Sequence, residues 1–318
     1  MYELLVLGRR FRAGSRERVL LTGATGFIGK HLLPVLLGGY DVVGISRTSE
    51  GLEQMKSDGL SNDRVFICDL TELKSIDRVV EKCPDIQHIV HLSGNVPTIA
   101  DDWVTAQLQI DSHLTAAMNL SKAIPHLRYL KTFVYASSIA VYGNPGLVPV
   151  DEDYPTNPQT FYGVCKWGAE RYLGLRLRSA QVRYVSFRIG YVYGDDNPHP
   201  NALSSFIKAA REGNPLVLRA GDAVFRDYVH VSDVTGSILH ALRDPRVSGT
   251  YNVGSGSGIS IPELARIVQR HKYVPVLRDE SPDQQPSICV MDNTKWKNSY
   301  GGFRPLRISD AVEELLRA

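Results

Sequence analysis

The stretch RVLLTGATGFIGKHLL, residues 18–33, decides how the rest of the chain is read. A short apolar run ends in GATGFIG (23–29), and apolar residues at helical spacing follow it. At the first strand–helix junction of a parallel α/β chain, such a glycine turn is a dinucleotide-binding signal. Gly23, Gly26 and Gly29 divide the work: one makes the turn, one lets backbone approach a pyrophosphate, one allows close helix–strand packing. The free amides and positive dipole of the helix end favour phosphate. A plain tight turn would use the same residues, and GxxGxxG differs from the commoner GxGxxG, so the surroundings carry the weight.

Outward from this stretch the pattern alternates. DVVGISR, RVFICDL, QHIVHLSG, KTFVYASS and QVRYVSFRIG read as further strands. Helical stretches lie among them: GFIGKHLLPVLLGG closed by Gly38 and Gly39, TELKSIDRVVEKC, an amphipathic run from about Asp101 to Ala123, and FYGVCKWGAERYLGLRLR. Short buried strands alternating with helices predict an α/β fold, a Rossmann-type doubly wound parallel sheet that takes ligands where its strands end. After about Gly190 the rhythm breaks into loop-rich GDDNPHPN and REGNP, and TYNVGSG reads as a return to the sheet. The expected organisation is an extension over 1–17, a dinucleotide-binding domain over 18–189 with a return near 226–256, and a smaller, partly interleaved substrate domain over 190–318.

Composition removes several classes of function. A formal net charge of +2 over 318 residues suggests no broad nucleic-acid or membrane surface. Cys68, Cys83, Cys165 and Cys289 stand apart without a CxxC, which favours free thiols in a reducing compartment, the cytoplasm. The nine histidines show no HxxxH and no Cys/His cluster, so no metal is expected. No apolar run approaches the ~20 residues of a membrane span. In residues 1–17, LLVLG is too short for a secretory core and its arginines follow the apolar part, so the segment reads as a loose extension.

The end of the second strand should meet the adenosine ribose, where a carboxylate would select NAD. Ser46 and Arg47 stand there instead. An arginine fork suits a 2′-phosphate, which favours NADP over NAD; a solvated surface arginine is the plainer alternative. Asp69, ending RVFICDL, is placed to accept from the adenine amino group or, more plainly, to cap the next helix. In FYGVCKW, Tyr162 and Lys166 are four residues apart and share a helix face. A lysine ammonium beside a phenol favours its ionised form.

With TGATGFIG, CDL, HLSG, ASSIAVYG, YGVCK, RIGYVYG (188–194), RDYVHVSDV (226–234) and YNVGSGSGISIPELA (251–265) in this order, the chain resembles the extended short-chain dehydrogenase/reductase family. It is most similar to the branch of nucleotide-sugar epimerases, dehydratases and ketoreductases, and the likeness runs from residue 18 onward. The resemblance implies an NAD(P)-dependent enzyme with Tyr162 as general acid/base, Lys166 on the nicotinamide ribose, Ser138 on the reacting oxygen and Ser137 nearer the cofactor. It places Gly23, Thr25, Gly26, Phe27, Ile28, Gly29, Ser46, Arg47, Asp69, Leu70, Leu92, Ser93, Gly94 and Ile189 around the dinucleotide. It further implies Tyr191 and Arg226 at the substrate, with Arg226 on the diphosphate where an ordinary surface ion pair is the alternative. A homodimer through the helices after the fourth and fifth strands is also implied.

The same resemblance narrows the reaction. Dehydratases of this branch carry an Asp-Glu pair where this chain has Ile139 and Ala140, so elimination of water lacks its proton carriers. Reduction of a 4-keto nucleotide sugar by NADPH and 4-epimerisation with retained NAD remain, and Ser46–Arg47 favours the reductase. Reduction of a non-sugar carbonyl and non-enzymatic dinucleotide sensing are two further readings. Tyr191 replaces an asparagine usual at the substrate, Asp111 another in the dimer-helix segment, and Gln284 and Gln285 stand where the late substrate loop often has arginine.

Overall fold

The computed structural model describes residues 16–95, 102–146, 149–198, 201–218, 224–279 and 287–317. Most of the 1–17 extension, and Gln284 and Gln285, lie outside the described residues. In chain order the strands are β1 (Arg18–Thr22), β2 (Asp41–Ser46), β3 (Val65–Ile67), β4 (His88–His91), β5 (Thr132–Ser138), β6 (Arg183–Ile189), β7 (Tyr191–Tyr193), β8 (Leu216–Leu218), β9 (Val224–His230), β10 (Gly249–Val253), β11 (Gly258–Ser260), β12 (Val276–Arg278) and β13 (Ser287–Cys289). The helices are α1 (Phe27–Leu37), α2 (Ser49–Ser57), α3 (Asp77–Lys82), α4 (Trp103–Gln109), α5 (Ala116–Ser121), α6 (Phe161–Ser179), α7 (Ala202–Glu212), α8 (Val231–Arg243), α9 (Ile261–His271), α10 (Thr294–Tyr300) and α11 (Ile308–Arg317).

Seven strands form one sheet in the order β10-β6-β5-β4-β1-β2-β3, every pair parallel. The order turns back between β1 and β4, and ligands of such sheets bind at that switch point. Alternation along β1 shows why both faces need helices. Val19 and Leu21 pack into one core with Leu32, Leu33 and Leu36 of α1 and Ile238 of α8. Leu20 points the other way, toward Val79 of α3, Leu120 of α5 and Leu173 of α6. The doubly wound α/β sheet expected from the sequence is the one observed.

Three local departures have physical causes. The helix α2 was not legible because Met55 is its one buried residue; Thr48 starts it by accepting from Gly51 N at 3.2 Å. In TELKSIDRVVEKC only α3 is helical. Side chains ahead of α3 hold the backbone in a turn, with Asp69 N donating to Ser75 Oγ at 2.8 Å. The amphipathic run after Asp102 is helical but contains a π-helical turn, Ile110–Thr115, between α4 and α5. That turn rotates every later side chain off the 3.6-residue period.

A smaller sheet is built around β9, with β11 antiparallel and β7 and β13 parallel to it, and α7, α9 and α11 share its core. Of the stretch near 226–256 expected to return to the large sheet, β10 does so, whereas β9 lies in the small one. The two sheets are joined at Asp227. Its fully buried carboxylate accepts from Ser255 N and Oγ, both at 2.7 Å, from Met291 N at 3.1 Å and from Gly256 N at 3.3 Å. Among the described residues no helix is long and apolar enough to cross a membrane, and no three or more His, Cys, Asp or Glu groups could hold a metal.

Candidate active site

A cleft of about 560 Å³ opens at the carboxyl ends of β1, β2, β3 and β4. Gly23, Thr25, Gly26, Phe27, Ser46, Arg47, Asp69, Leu70, Leu92, Ser93 and Gly94, all named from the sequence, line it. Gly23 has φ +72° and lies so close to the β4 loop that a Cβ would stand 2.8 Å from Ser93 N. A Cβ on Gly29 would stand 2.0 Å from Gly23 O, so this glycine sets the approach of α1 to the turn rather than facing the cleft. Gly26 caps α1 without any side-chain bond, which leaves first-turn amides for an anion. Ile28 packs against the core instead of lining the cleft. These residues fit a dinucleotide pyrophosphate.

At the β2 end, Ser46 Oγ accepts from Thr48 N at 3.2 Å, and Arg47 is exposed on the rim without an ion-pair partner among the described residues. The carboxylates lining the cleft are Asp69 and Asp196, neither on β2. Asp69 Oδ1 accepts from Thr71 N at 2.9 Å and Thr71 Oγ1 at 2.8 Å, closing a turn well before α3 begins. It therefore caps no helix.

Farther along the rim, β5 ends in Ser137 and Ser138, and Ser138 is level with Ile189 of β6. Thr160 caps α6, accepting from Gly163 N at 3.0 Å, and Gly163 packs so tightly that a Cβ would lie 2.7 Å from Ala140 O. Tyr162 is thereby fixed in the first turn of α6, half-buried, with Ser138 near enough to lower the pKa of its phenol. Ser138 Oγ also accepts from Ala140 N at 3.1 Å. Lys166, one turn on and buried, donates from Nζ to Ala136 O at 2.7 Å, and its Nζ is 5.8 Å from the centre of the Tyr162 ring.

The electrostatics of this pair differ from the expectation. Burial pushes the Tyr162 phenol above its usual pKa; Ser138 pulls it down and nearby Tyr191 pushes it up. Burial also brings the Lys166 pKa down to about 7. Within the chain itself, burial works against ionisation of the Tyr162 phenol and against the charge on Lys166. Lys166 favours a phenolate only while it carries its proton.

Two histidines missed in the sequence complete this region. His91, at the end of β4, makes a 2.7 Å hydrogen bond through Nδ1 with Thr22 Oγ1 and stacks on Tyr135 at 5.7 Å. His113, in the π-helical turn, bonds through Nε2 to Asn95 O at 2.9 Å and meets the Tyr162 ring edge-on at 5.2 Å. Burial, with Lys166 nearby, brings His91 down to about 3 and His113 to about 2, so both are neutral. The buried hydroxyls of Ser137, Tyr135 and Ser112 have no hydrogen-bond partner among the described residues. Asp111, singled out from the same segment, accepts from Gln107 Nε2 at 3.0 Å instead.

On the small-sheet side, the Arg226 guanidinium lies over the Tyr191 ring at 5.1 Å. Its Nη1 donates to Ser287 O at 2.8 Å, Phe225 O at 2.9 Å and Ser287 Oγ at 3.0 Å. Arg226 is thus held by backbone, the Ser287 hydroxyl and an aromatic face, with no ion-pair partner among the described residues.

Known proteins share the fold that carries this arrangement. The chain is 29% identical to a UDP-glucose 4-epimerase of Mycolicibacterium smegmatis, over 93% of this chain and 96% of that one. It is 26% identical to the UDP-glucose 4-epimerase of Bacillus subtilis, over 89% and 91%. The structure of the Thermus thermophilus UDP-glucose 4-epimerase with NAD superposes with a TM-score of 0.77 at 27% identity, covering 94% of this chain and 98% of that one. A Bacillus cereus UDP-glucuronic acid 4-epimerase with UDP-glucuronic acid and NAD shares the fold, with a TM-score of 0.81 at 24% identity and the same coverage. The sequence pattern of the NAD dependent epimerase/dehydratase family matches residues 19–254, and the chain belongs to that family of extended short-chain dehydrogenase/reductase enzymes.

Proposed function

We propose that the protein is a nucleotide-sugar 4-epimerase that retains its dinucleotide through turnover. The carrying observation is that Ser138, Tyr162 and Lys166 gather beside the dinucleotide cleft in a chain whose curated relatives are UDP-glucose 4-epimerases. A nicotinamide dinucleotide held in this cleft would supply the acceptor and donor of hydride. Tyr162 takes the proton from the sugar hydroxyl as that carbon is oxidised and returns it on reduction. Ser138 holds the same oxygen by a hydrogen bond. Lys166 meets the nicotinamide ribose, and Arg226 grips the diphosphate with donors left free by its backbone contacts. Gly23, Gly26 and Phe27 hold the pyrophosphate, with Ile189 and Ser137 on the nicotinamide side. The small-sheet region is the substrate domain.

A second reading, NADPH-dependent reduction of a 4-keto sugar, is favoured by one feature: Arg47 stands at the end of β2 where a carboxylate would select NAD. One experiment separates the two. The dinucleotide released from the purified protein is identified by mass, and the protein is incubated in one arm with UDP-glucose, UDP-galactose and UDP-glucuronic acid without added cofactor and in the other with NADPH and a 4-keto nucleotide sugar. Interconversion of 4-epimers without net cofactor oxidation supports the epimerase. Stoichiometric NADPH oxidation with a 4-keto sugar, and none with the 4-epimers, replaces it by the reductase. Tyr162→Phe should lower turnover by about 10²–10⁴-fold and leave dinucleotide binding intact.

A further inference from the structure

His113 joins two parts of the site that the chain keeps far apart in sequence. Its Nε2 lies 2.9 Å from the carbonyl of Asn95, and a carbonyl can only accept, so Nε2 carries the proton and Nδ1 the lone pair. Asn95 and its neighbours Ser93 and Gly94 line the dinucleotide cleft. The opposite side of the imidazole meets the Tyr162 ring at 5.2 Å with the planes at 78°, an edge-to-face contact. Gly94 closes the remaining side: a Cβ there would stand 2.1 Å from Cε1 and 2.3 Å from Nδ1, and its φ of +154° already suits glycine. The ring is 1% exposed and has no room to turn. The π-helical turn is what points this residue inward, because it shifts the side chains between α4 and α5 by one position.

We infer that His113 is a positioning residue: as a neutral Nε2–H tautomer it clamps the Tyr162 ring to the Asn95 loop and so sets the phenol relative to the dinucleotide. The inference rests on Tyr162 being the acid/base of the proposed reaction. Charge would defeat the clamp. Lys166 and His91 both face His113, and a second cation beside the lysine would be repelled in the same buried space. The hydrogen bond to Asn95 ties the ring to the loop that contacts the cofactor, so the clamp acts on orientation rather than on dinucleotide affinity.

Three variants test this in the full-length protein. His113→Phe keeps a ring against Tyr162 and loses the donor; His113→Gln keeps a donor and loses the ring; His113→Ala loses both. Expected for alanine is a fall in kcat of about 10-fold or more, with dinucleotide Kd within about 3-fold of the parent, because misplacing a reacting group costs rate rather than binding. Each single-feature variant should recover part of that kcat. Turnover of His113→Ala within about 2-fold of the parent overturns the inference, as does equal loss of turnover and dinucleotide binding. Nitrogen-15 NMR of the imidazoles gives a readout that needs no substrate: His113 should remain the neutral Nε2–H tautomer from pH 5 to 9. A protonated ring or the Nδ1–H tautomer overturns the inference. If the parent protein turns over no nucleotide sugar, the proposed reaction fails while the NMR result still decides the state of His113.

Discussion

The Nζ of Lys166 lies 5.8 Å from the centre of the Tyr162 ring and gives its hydrogen bond to Ala136 O. The two residues share a helix face, as their spacing requires, yet the lysine serves the strand beneath it. Its pKa of about 7 sits below the ordinary 10.5 because the ammonium is desolvated. Between those values the unfolded chain holds more protons at this site than the folded one. The contribution of Lys166 to stability therefore rises with pH across that window. The cost of burying the charge is full below about pH 7 and gone by about pH 10. Lys166→Met removes the charge. The Tm of this variant minus that of the parent should be most favourable near pH 6 and decline steadily toward pH 10. Thermal scans at five pH values check this, and a difference that stays flat contradicts the buried-ammonium account.

Glu170 and Arg188 form a buried ion pair, Oε1 to Nη2 at 2.7 Å, that fastens α6 to β6. Ser186 Oγ donates to the second carboxylate oxygen at 3.1 Å, and Arg188 Nη1 reaches Tyr142 OH and Glu152 O, both at 2.9 Å. Removing one partner leaves the other charge buried alone. Glu170→Gln is expected to cost about 3–5 kcal/mol of unfolding free energy. Urea denaturation measures it, and a loss below ~1 kcal/mol would mean the guanidinium finds another acceptor.

Arg47→Ala separates the two cofactor readings. If the guanidinium meets a 2′-phosphate, NADP affinity should fall by about 10–100-fold while NAD affinity stays unchanged, as expected for loss of a charge-assisted hydrogen bond. Fluorescence titration of the nucleotide-free protein with each dinucleotide gives both numbers. Equal effects on the two place Arg47 in solvent.

The outer faces of α4 and α6 carry Trp103, Val104, Leu108, Phe161, Val164 and Trp167, all markedly exposed in the single chain. Such a patch on two neighbouring helices suits a second copy of the chain. Val164→Glu puts a charge on this face without touching the core. Light scattering should show the parent at twice the chain mass and the variant at the chain mass; a monomeric parent removes the dimer.

Much of this was legible in the chain. The alternation of short apolar runs with helical stretches was enough for the parallel sheet, because its central strands β1, β2, β4 and β5 are buried on both faces and show it. Gly23 and Gly29 could be read because their positions tolerate no side chain. Ser138, Tyr162 and Lys166 could be named from motif order, but not the direction of the lysine: spacing fixes a face, and burial and a carbonyl decide where the amine goes. His113 escaped for a related reason. A reader counting 3.6 residues per turn through Ile110–Thr115 assigns it the wrong face, and Asp111 draws the eye instead. The helix α2 was invisible because it buries almost nothing, and β9 was assigned to the wrong sheet because a strand's sequence does not say which sheet it joins.

Asp227 has one more effect, through its neighbour in β9. Four donors from the segments after β10 and β13 bolt this strand to the rim of the large sheet, so Arg226 cannot slide relative to Tyr162. The span between a fixed cation and a fixed phenol works as a caliper. With Arg226 on the diphosphate and Tyr162 on the reacting oxygen, as proposed, such a caliper would sort molecules by the length from their anionic end to the carbon being worked on, and exchanging side chains between the jaws would change what fits without resetting the gauge.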